Sequence, residues 1–253
     1  MKAGFHFSIA GGYARALEEA RAMRASAVQI FAKSPRAWKR RALDAADLER
    51  FRALWPLVGE PPVFIHASYL QSLGAQDPDL FEKSVFSLAD DLEKGRHLGA
   101  AGVVVHVRGD PERFGLGLER ARRLAPSPTE VWVENTAQAP LEAVLPYLEA
   151  ADGLVLDTAH AHLAGHAPEE AIAWLERLGL DRLKLIHFND ARHPRGSRRD
   201  VHASLGEGTL GKELKAYLAH PGLREKPFIM ETPKKDDAKN WARFKAWWAE
   251  SST

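Results

Sequence analysis

Six residues of the chain each stand at the end of a short apolar run, and all six are of types that bind metals or move protons. They are His66, His106, Glu134, Asp157, His187 and Glu231. Three more lie just past such runs: His160 in Asp157-Thr158-Ala159-His160, and Asp200 and His202 in the loop after His187. A single histidine at a strand end is most simply a hydrogen-bonded cap. Six strand ends carrying only His, Asp or Glu need a common cause. Drawn together, such groups lose hydration, and the four carboxylates among the nine repel one another. Divalent cations answer both problems. The chain has no cysteine, which excludes disulfides, thiolate zinc sites and a Cys nucleophile and leaves imidazole and carboxylate as ligands. Nine ligands are too many for one tetrahedral site. If one carboxylate bridges, they suffice for three ions, and the net positive charge then suits an anionic substrate.

These residues need a scaffold that brings many strand ends to one place. Eight short apolar runs recur along the 253 residues, at 4–9, 27–32, 63–66, 102–106, 131–134, 154–157, 183–187 and 228–231. Between them lie helical patterns at 13–24, 44–55, 77–98, 111–123, 140–151, 167–177, 209–219 and 236–249, punctuated by residues such as Gly99, Pro140, Gly179 and Pro227. Eight β-then-α units predict an α/β fold, a (β/α)8 TIM barrel, formed by 1–253 as one domain. A doubly wound open sheet is the alternative. It usually opens on a glycine-rich turn, and here Gly11-Gly12 is not followed by the GxGxxG pattern.

Composition narrows the class further. Apolar residues make up 45% and charged residues 27%, as in a soluble globular protein. The net charge of +1 says nothing about partners. Asparagine occurs only at Asn135, Asn189 and Asn240, and glutamine at Gln29, Gln71, Gln76 and Gln138. That scarcity leans towards a thermophile, although a GC-rich genome gives the same bias. No signal-peptide pattern opens the chain and no apolar run is long enough to span a bilayer, so a cytoplasmic location and no membrane partner are expected.

Several segments carry a family resemblance: Ile65-His66-Ala67-Ser68-Tyr69-Leu70, Val133-Glu134-Asn135-Thr136-Ala137, Leu156-Asp157-Thr158-Ala159-His160, His187-Phe188-Asn189-Asp190, Asp200-Val201-His202, Ser204-Leu205-Gly206-Glu207-Gly208 and Met230-Glu231-Thr232. Together with the opening Gly4-Phe5-His6-Phe7-Ser8 they resemble the endonuclease IV family, zinc-dependent abasic-site endonucleases of the AP endonuclease 2 type with a xylose-isomerase-like TIM barrel. The resemblance implies three Zn2+ ions, with Mn2+ as an alternative occupant at one or more sites. The first is expected on His66, His106 and Glu134, which bridges to the second. The second adds Asp157, His187 and Glu231, and the third takes His160, Asp200 and His202. The implied activity is hydrolysis of the phosphodiester 5′ to abasic sites in duplex DNA, leaving a 3′-hydroxyl and a 5′-deoxyribose phosphate. Glu134 and Glu231 are the expected catalytic carboxylates. Glu231 would hold the second metal and orient the attacking water. The expected partner is duplex DNA with abasic lesions, bound by a monomer.

The chain departs from the family at three places. Val107-Arg108-Gly109-Asp110 follows His106 where the family has Pro-Gly-Ser, the loop after Ala137 is short, and His162 replaces an aromatic residue. A divergent paralogue is the variant reading these changes raise. Three basic segments follow strands and read as phosphate contacts: Lys33, Arg36, Lys39, Arg40 and Arg41; Arg192, Arg195, Arg198 and Arg199; and Lys234-Lys235. Arg36, Arg198 and Arg199 are the DNA contacts expected here, with Tyr69 and Leu70 as wedges into the gap of a kinked duplex. Two rivals stand beside this reading. One is a xylose-isomerase-like sugar isomerase or epimerase, for which Glu134, Asp157, His187 and Glu231 would suffice. The other is a damage-binding paralogue that has lost turnover.

Overall fold

In a computed structural model, residues 1–251 are described. Ten strands form among the described residues: β1 (Ala3–Phe7), β2 (Ala27–Phe31), β3 (Val63–His66), β4 (Gly102–His106), β5 (Glu130–Glu134), β6 (Gly153–Asp157), β7 (Leu183–His187), β8 (Asp190–Ala191), β9 (His202–Ala203) and β10 (Phe228–Met230). Eight of them close into a parallel barrel in the order β1-β10-β7-β6-β5-β4-β3-β2, while β8 and β9 pair as a separate antiparallel ribbon. The barrel strands are almost wholly buried, as parallel strands flanked by helices must be, so they read as continuous apolar runs rather than alternating ones.

The chain falls into two compact units. One comprises His6–Glu134 and Val144–Gly153. It holds α1 (Tyr13–Met23), α2 (Ala45–Leu54), α3 (Pro78–Leu98), α4 (Pro111–Leu124) and the short α5 (Leu145–Leu148). Helix starts are set locally. Asp44, Asp77 and Asp110 each accept backbone N–H groups at the start of α2, α3 and α4, and proline occupies the first turn of the last two. The 3-10 turn Leu141–Val144 leads into α5, so the helix expected at 140–151 is only a short irregular stretch. Pro146 in the first turn of α5 has no N–H to extend a helix backwards.

The other unit comprises Met1–Phe5, Asn135–Ala143 and Leu154–Thr253. It holds α6 (Thr158–Ala164), α7 (Pro168–Leu178), α8 (Lys215–Ala219), α9 (Pro221–Arg224) and α10 (Asp237–Glu250). Two features here were not expected from the sequence. The helix α6 begins directly at the end of β6, with Asp157 as its N-cap. The β8–β9 ribbon spans the loop after β7. The helix expected at 209–219 is a 3-10 turn, Gly211–Leu214, followed by the short α8, and Pro221 opens a separate α9 beyond it.

Candidate metal centre

The strands deliver the candidate ligands because each ligand sits at a strand's C-terminal end or just beyond it, and register decides which are neighbours. In the β4–β5 pair His106 lies opposite Glu134, and in the β6–β7 pair Asp157 lies opposite His187. The first unit thus gathers His66, His106 and Glu134, whose ligand atoms lie within 4.8 Å of one another. Glu134 is fully buried, and its Oε2 faces two imidazoles: His66 Nε2 at 3.3 Å and His106 Nε2 at 2.9 Å.

The second unit gathers Asp157, His160 and His202 in the same way. Asp200, exposed in the loop before β9, reaches His160 Nε2 at 3.2 Å and His202 Nε2 at 3.6 Å. His202 Nε2 also lies 3.7 Å from Asp157 Oδ2. His187 Nδ1 stands 3.4 Å from Glu231 Oε2, the first residue past β10.

The other nitrogen of each ring reveals what these imidazoles need. His66 Nδ1 faces the Ala67 carbonyl at 2.8 Å, His160 Nδ1 faces the Asn135 carbonyl at 2.9 Å, and His202 Nδ1 faces the Glu231 carbonyl at 3.1 Å. A carbonyl oxygen only accepts, so each Nδ1 carries the proton and donates it. In a neutral ring Nε2 is then a bare lone pair, and in all three residues it points at a carboxylate oxygen. His202 Nε2 is buried without a hydrogen-bond partner. Lone pairs facing carboxylates repel unless a proton or a cation lies between them. Backbone carbonyls that fix the ring tautomer are the usual outer support of metal-binding histidines. The donor set therefore fits divalent metal ions.

Further residues hold the candidate ligands in place, and the sequence alone assigned none of them a role. Asn189 is fully buried. Its side-chain amide donates to Asp157 Oδ2 at 2.7 Å, and its carbonyl accepts the Glu231 N–H at 2.7 Å. Asn135 clamps the Asp157 backbone at both N–H and carbonyl. Asp190 is likewise buried and accepts N–H groups from Gly206, Gly208 and Leu210. All three asparagines of the chain are buried. In a sequence that otherwise avoids asparagine, their retention was the available signal.

The expected DNA-contact residues divide. Arg36, Arg198 and Arg199 are exposed and form no salt bridge among the described residues. Tyr69 is exposed, with its ring 5.6 Å from that of His66, and Leu70 is half-buried. Lys33 is a correction. It is buried against Asp90 and Asp91 and cannot reach a phosphate. Arg40 is paired with Asp90 and Glu93, Arg195 with Glu213, and Lys234 with Asp237. Arg41 donates to the Ile9 carbonyl and lies over the Tyr13 ring. A basic run does not reveal which of its members already have buried carboxylates. His6 Nδ1 accepts from the Gln29 side-chain amide at 3.0 Å, and its ring lies 6.2 Å from that of His66. His162 is buried and meets Thr209 at 2.9 Å; burial, with Arg195 nearby, holds it below the usual histidine range.

Comparison with known proteins identifies the fold and the family. Residues 17–251 match the family model of the xylose isomerase-like TIM barrel. The crystal structure of endonuclease IV from Thermus thermophilus superposes with a TM-score of 0.91 at 45% identity, covering 99% of this chain and 100% of that one. Endonuclease 4 from another strain of Thermus thermophilus is 46% identical over 98% of each chain. A D-tagatose 3-epimerase-like protein shares the fold alone, with a TM-score of 0.74 at 18% identity over 100% of this chain and 98% of that one. The chain is thus a xylose isomerase-like TIM barrel, and within that class it belongs to the endonuclease IV family.

Proposed function

We propose that the chain is a metal-dependent endonuclease, a hydrolase of base excision repair, that cuts duplex DNA on the 5′ side of abasic sites and leaves a 3′-hydroxyl and a 5′-deoxyribose phosphate. Near-full-length identity to an endonuclease 4 supports endonuclease action on DNA. The observation that carries the metal requirement is the set of three imidazoles whose Nδ1 atoms face backbone carbonyls while their Nε2 atoms face carboxylates.

Nine residues would hold three ions, Zn2+ by preference: His66, His106 and Glu134; Asp157, His187 and Glu231 with Glu134 shared; and His160, Asp200 and His202. Bound divalent ions supply a water nucleophile that is active near neutral pH and charge stabilisation for the departing oxygen. The protein side of the reaction is positioning. Glu231 orients the attacking water from beside His187. Asn189 keeps Asp157 and Glu231 in fixed relation through one amide. Arg36, Arg198 and Arg199 take phosphates, while Tyr69 and Leu70 fill the gap left when the abasic nucleotide leaves the stack. The chain acts as a single domain and a monomer, in the cytoplasm. Among the described residues no helix is long and apolar enough to cross a membrane.

The sugar isomerase reading is not favoured, since the likeness to epimerases is of fold alone. The test is a duplex with one abasic site, with products resolved by size and end chemistry. Incision 5′ to the lesion, with a 3′ end that a polymerase extends, is the expected result. Binding without incision would leave a damage-binding paralogue, and ketose–aldose conversion would restore the isomerase.

A further inference from the structure

Four charged side chains are buried away from the candidate ligands, in the unit that carries His66. Lys33, Asp90, Asp91 and Lys94 are each no more than 2% exposed. Burying ion pairs seldom adds net stability over apolar packing, so such a group invites a positional explanation. Burial pushes the Asp91 carboxyl above its usual range and Lys94 below its own, as expected for charges in a dry site.

The pairing has a definite shape. Helix α3 presents a buried polar stripe, Ser84, Ser87 and Asp91, at helical spacing. Two loops meet that stripe. From the loop after β2, Lys33 Nζ bonds to one Asp91 oxygen and donates to the Ser87 carbonyl at 2.8 Å. From the loop after β3, Gln71 Nε2 donates to the other Asp91 oxygen at 2.6 Å and to Ser87 Oγ at 2.9 Å. The Ser72 N–H donates to Ser84 Oγ at 2.8 Å. The two loops are also joined directly, because Ser68 Oγ donates to the Pro35 carbonyl at 2.8 Å. Farther along the first loop, Arg40 returns to Asp90 and Glu93. Arg36 therefore sits between the anchors Lys33 and Arg40, and Tyr69 and Leu70 sit between Ser68 and Gln71.

We infer that Asp91 is a positioning residue that fixes, through Lys33 and Gln71, both loops expected to engage the lesion. The inference rests on the proposed function for what the loops contact, but not for how they are held. Asp91 is buried, and its side-chain partners are Lys33 and Gln71, neither of them a candidate metal ligand. Its two oxygens divide between the two loops, so one carboxylate sets the spacing of Arg36 against Tyr69. The expected consequence is specificity for damaged DNA and not turnover.

The test replaces the pair by apolar residues of similar size, Lys33→Met with Asp91→Leu, which removes the anchor without stranding a buried charge. Gln71→Ala is the second variant; it leaves the ion pair intact and serves if the double variant does not fold. Three quantities are read on parent and variant: amide exchange in residues 33–41 and 68–73, affinity for abasic and for undamaged duplex, and kcat at saturating DNA. The expected result is faster exchange in both loops, affinity for abasic duplex weaker by about tenfold from the added ordering cost, and undamaged-duplex affinity and kcat within about twofold. Unchanged exchange, or loosened loops with unchanged preference for abasic duplex, overturns the inference. A fall in kcat with affinity unchanged also overturns it. A parent protein that shows no preference for abasic duplex overturns the proposed function instead, and that is read without any variant.

Discussion

Each of the two units has a loop region organised by one buried aspartate, and the two aspartates work in different ways. Asp91 takes side chains: Lys33 from one loop and Gln71 from another. Asp190 takes backbone: the N–H groups of Ala191, Gly206, Gly208, Leu210 and Gly211 all donate to it. An anchor made of side chains specifies which residues must face it. An anchor made of backbone specifies the path of the chain and demands close approach. At Gly208 an added Cβ would lie 2.3 Å from the Ala191 carbonyl oxygen and 2.4 Å from Asp190 Oδ1, so no side chain fits there. The first kind can be exchanged for another complementary pair. The second cannot, because its partners are not side chains.

The largest effect on turnover should arise in the unit that carries Asp190. Glu231→Gln keeps the shape of the side chain and removes the charge. Incision should fall by at least about 100-fold, with the fold intact by circular dichroism. Incision at the parental rate would remove Glu231 from the machinery.

Stability should then separate the two anchors. Asp91→Ala leaves Lys33 buried without its closest carboxylate, and unfolding free energy should drop by about 3–5 kcal/mol. Adding Lys33→Met to it should recover a large part of that loss. Asp190→Ala strands several N–H groups at about 1–3 kcal/mol each, and no second substitution elsewhere should recover it. Denaturant titration of the single and double variants reads both. Recovery in neither case, or in both, would erase the distinction.

The smallest effect belongs to the exposed arginines. Replacing Arg36, Arg198 and Arg199 together by alanine should flatten the salt dependence of DNA binding by up to about 2.7 in log–log slope, at about 0.9 for each phosphate that is no longer neutralised. Thermal stability should stay unchanged. An unchanged slope would place the DNA path elsewhere.

The barrel was legible because its strands are continuous apolar runs that stop at polar residues, and the strands of the structure follow those runs closely. The candidate ligands were legible for the same reason: His66, His106, Glu134, Asp157 and His187 each stand at the point where a strand stops being apolar. What supports them was not. The helix α6 is only seven residues long and starts on a candidate ligand, so it has no room for an amphipathic period. The β8–β9 ribbon has two residues per strand, below any alternation signal. Lys33 looked like one more member of a basic run, since its partners Asp90 and Asp91 lie far along the chain on α3. Long-range pairing of charges leaves no local pattern, whereas Asn189 could have been singled out by its rarity.

The central claim is that these imidazoles and carboxylates exist to hold the metal ions on which incision depends. The direct measurement strips the protein with chelator, returns Zn2+ in steps, and reads bound metal per chain alongside cutting of a single-abasic-site duplex. Incision should be absent from the stripped protein and return as occupancy rises towards three ions per chain. Full incision by metal-free protein, or a plateau reached at one ion per chain, would contradict it.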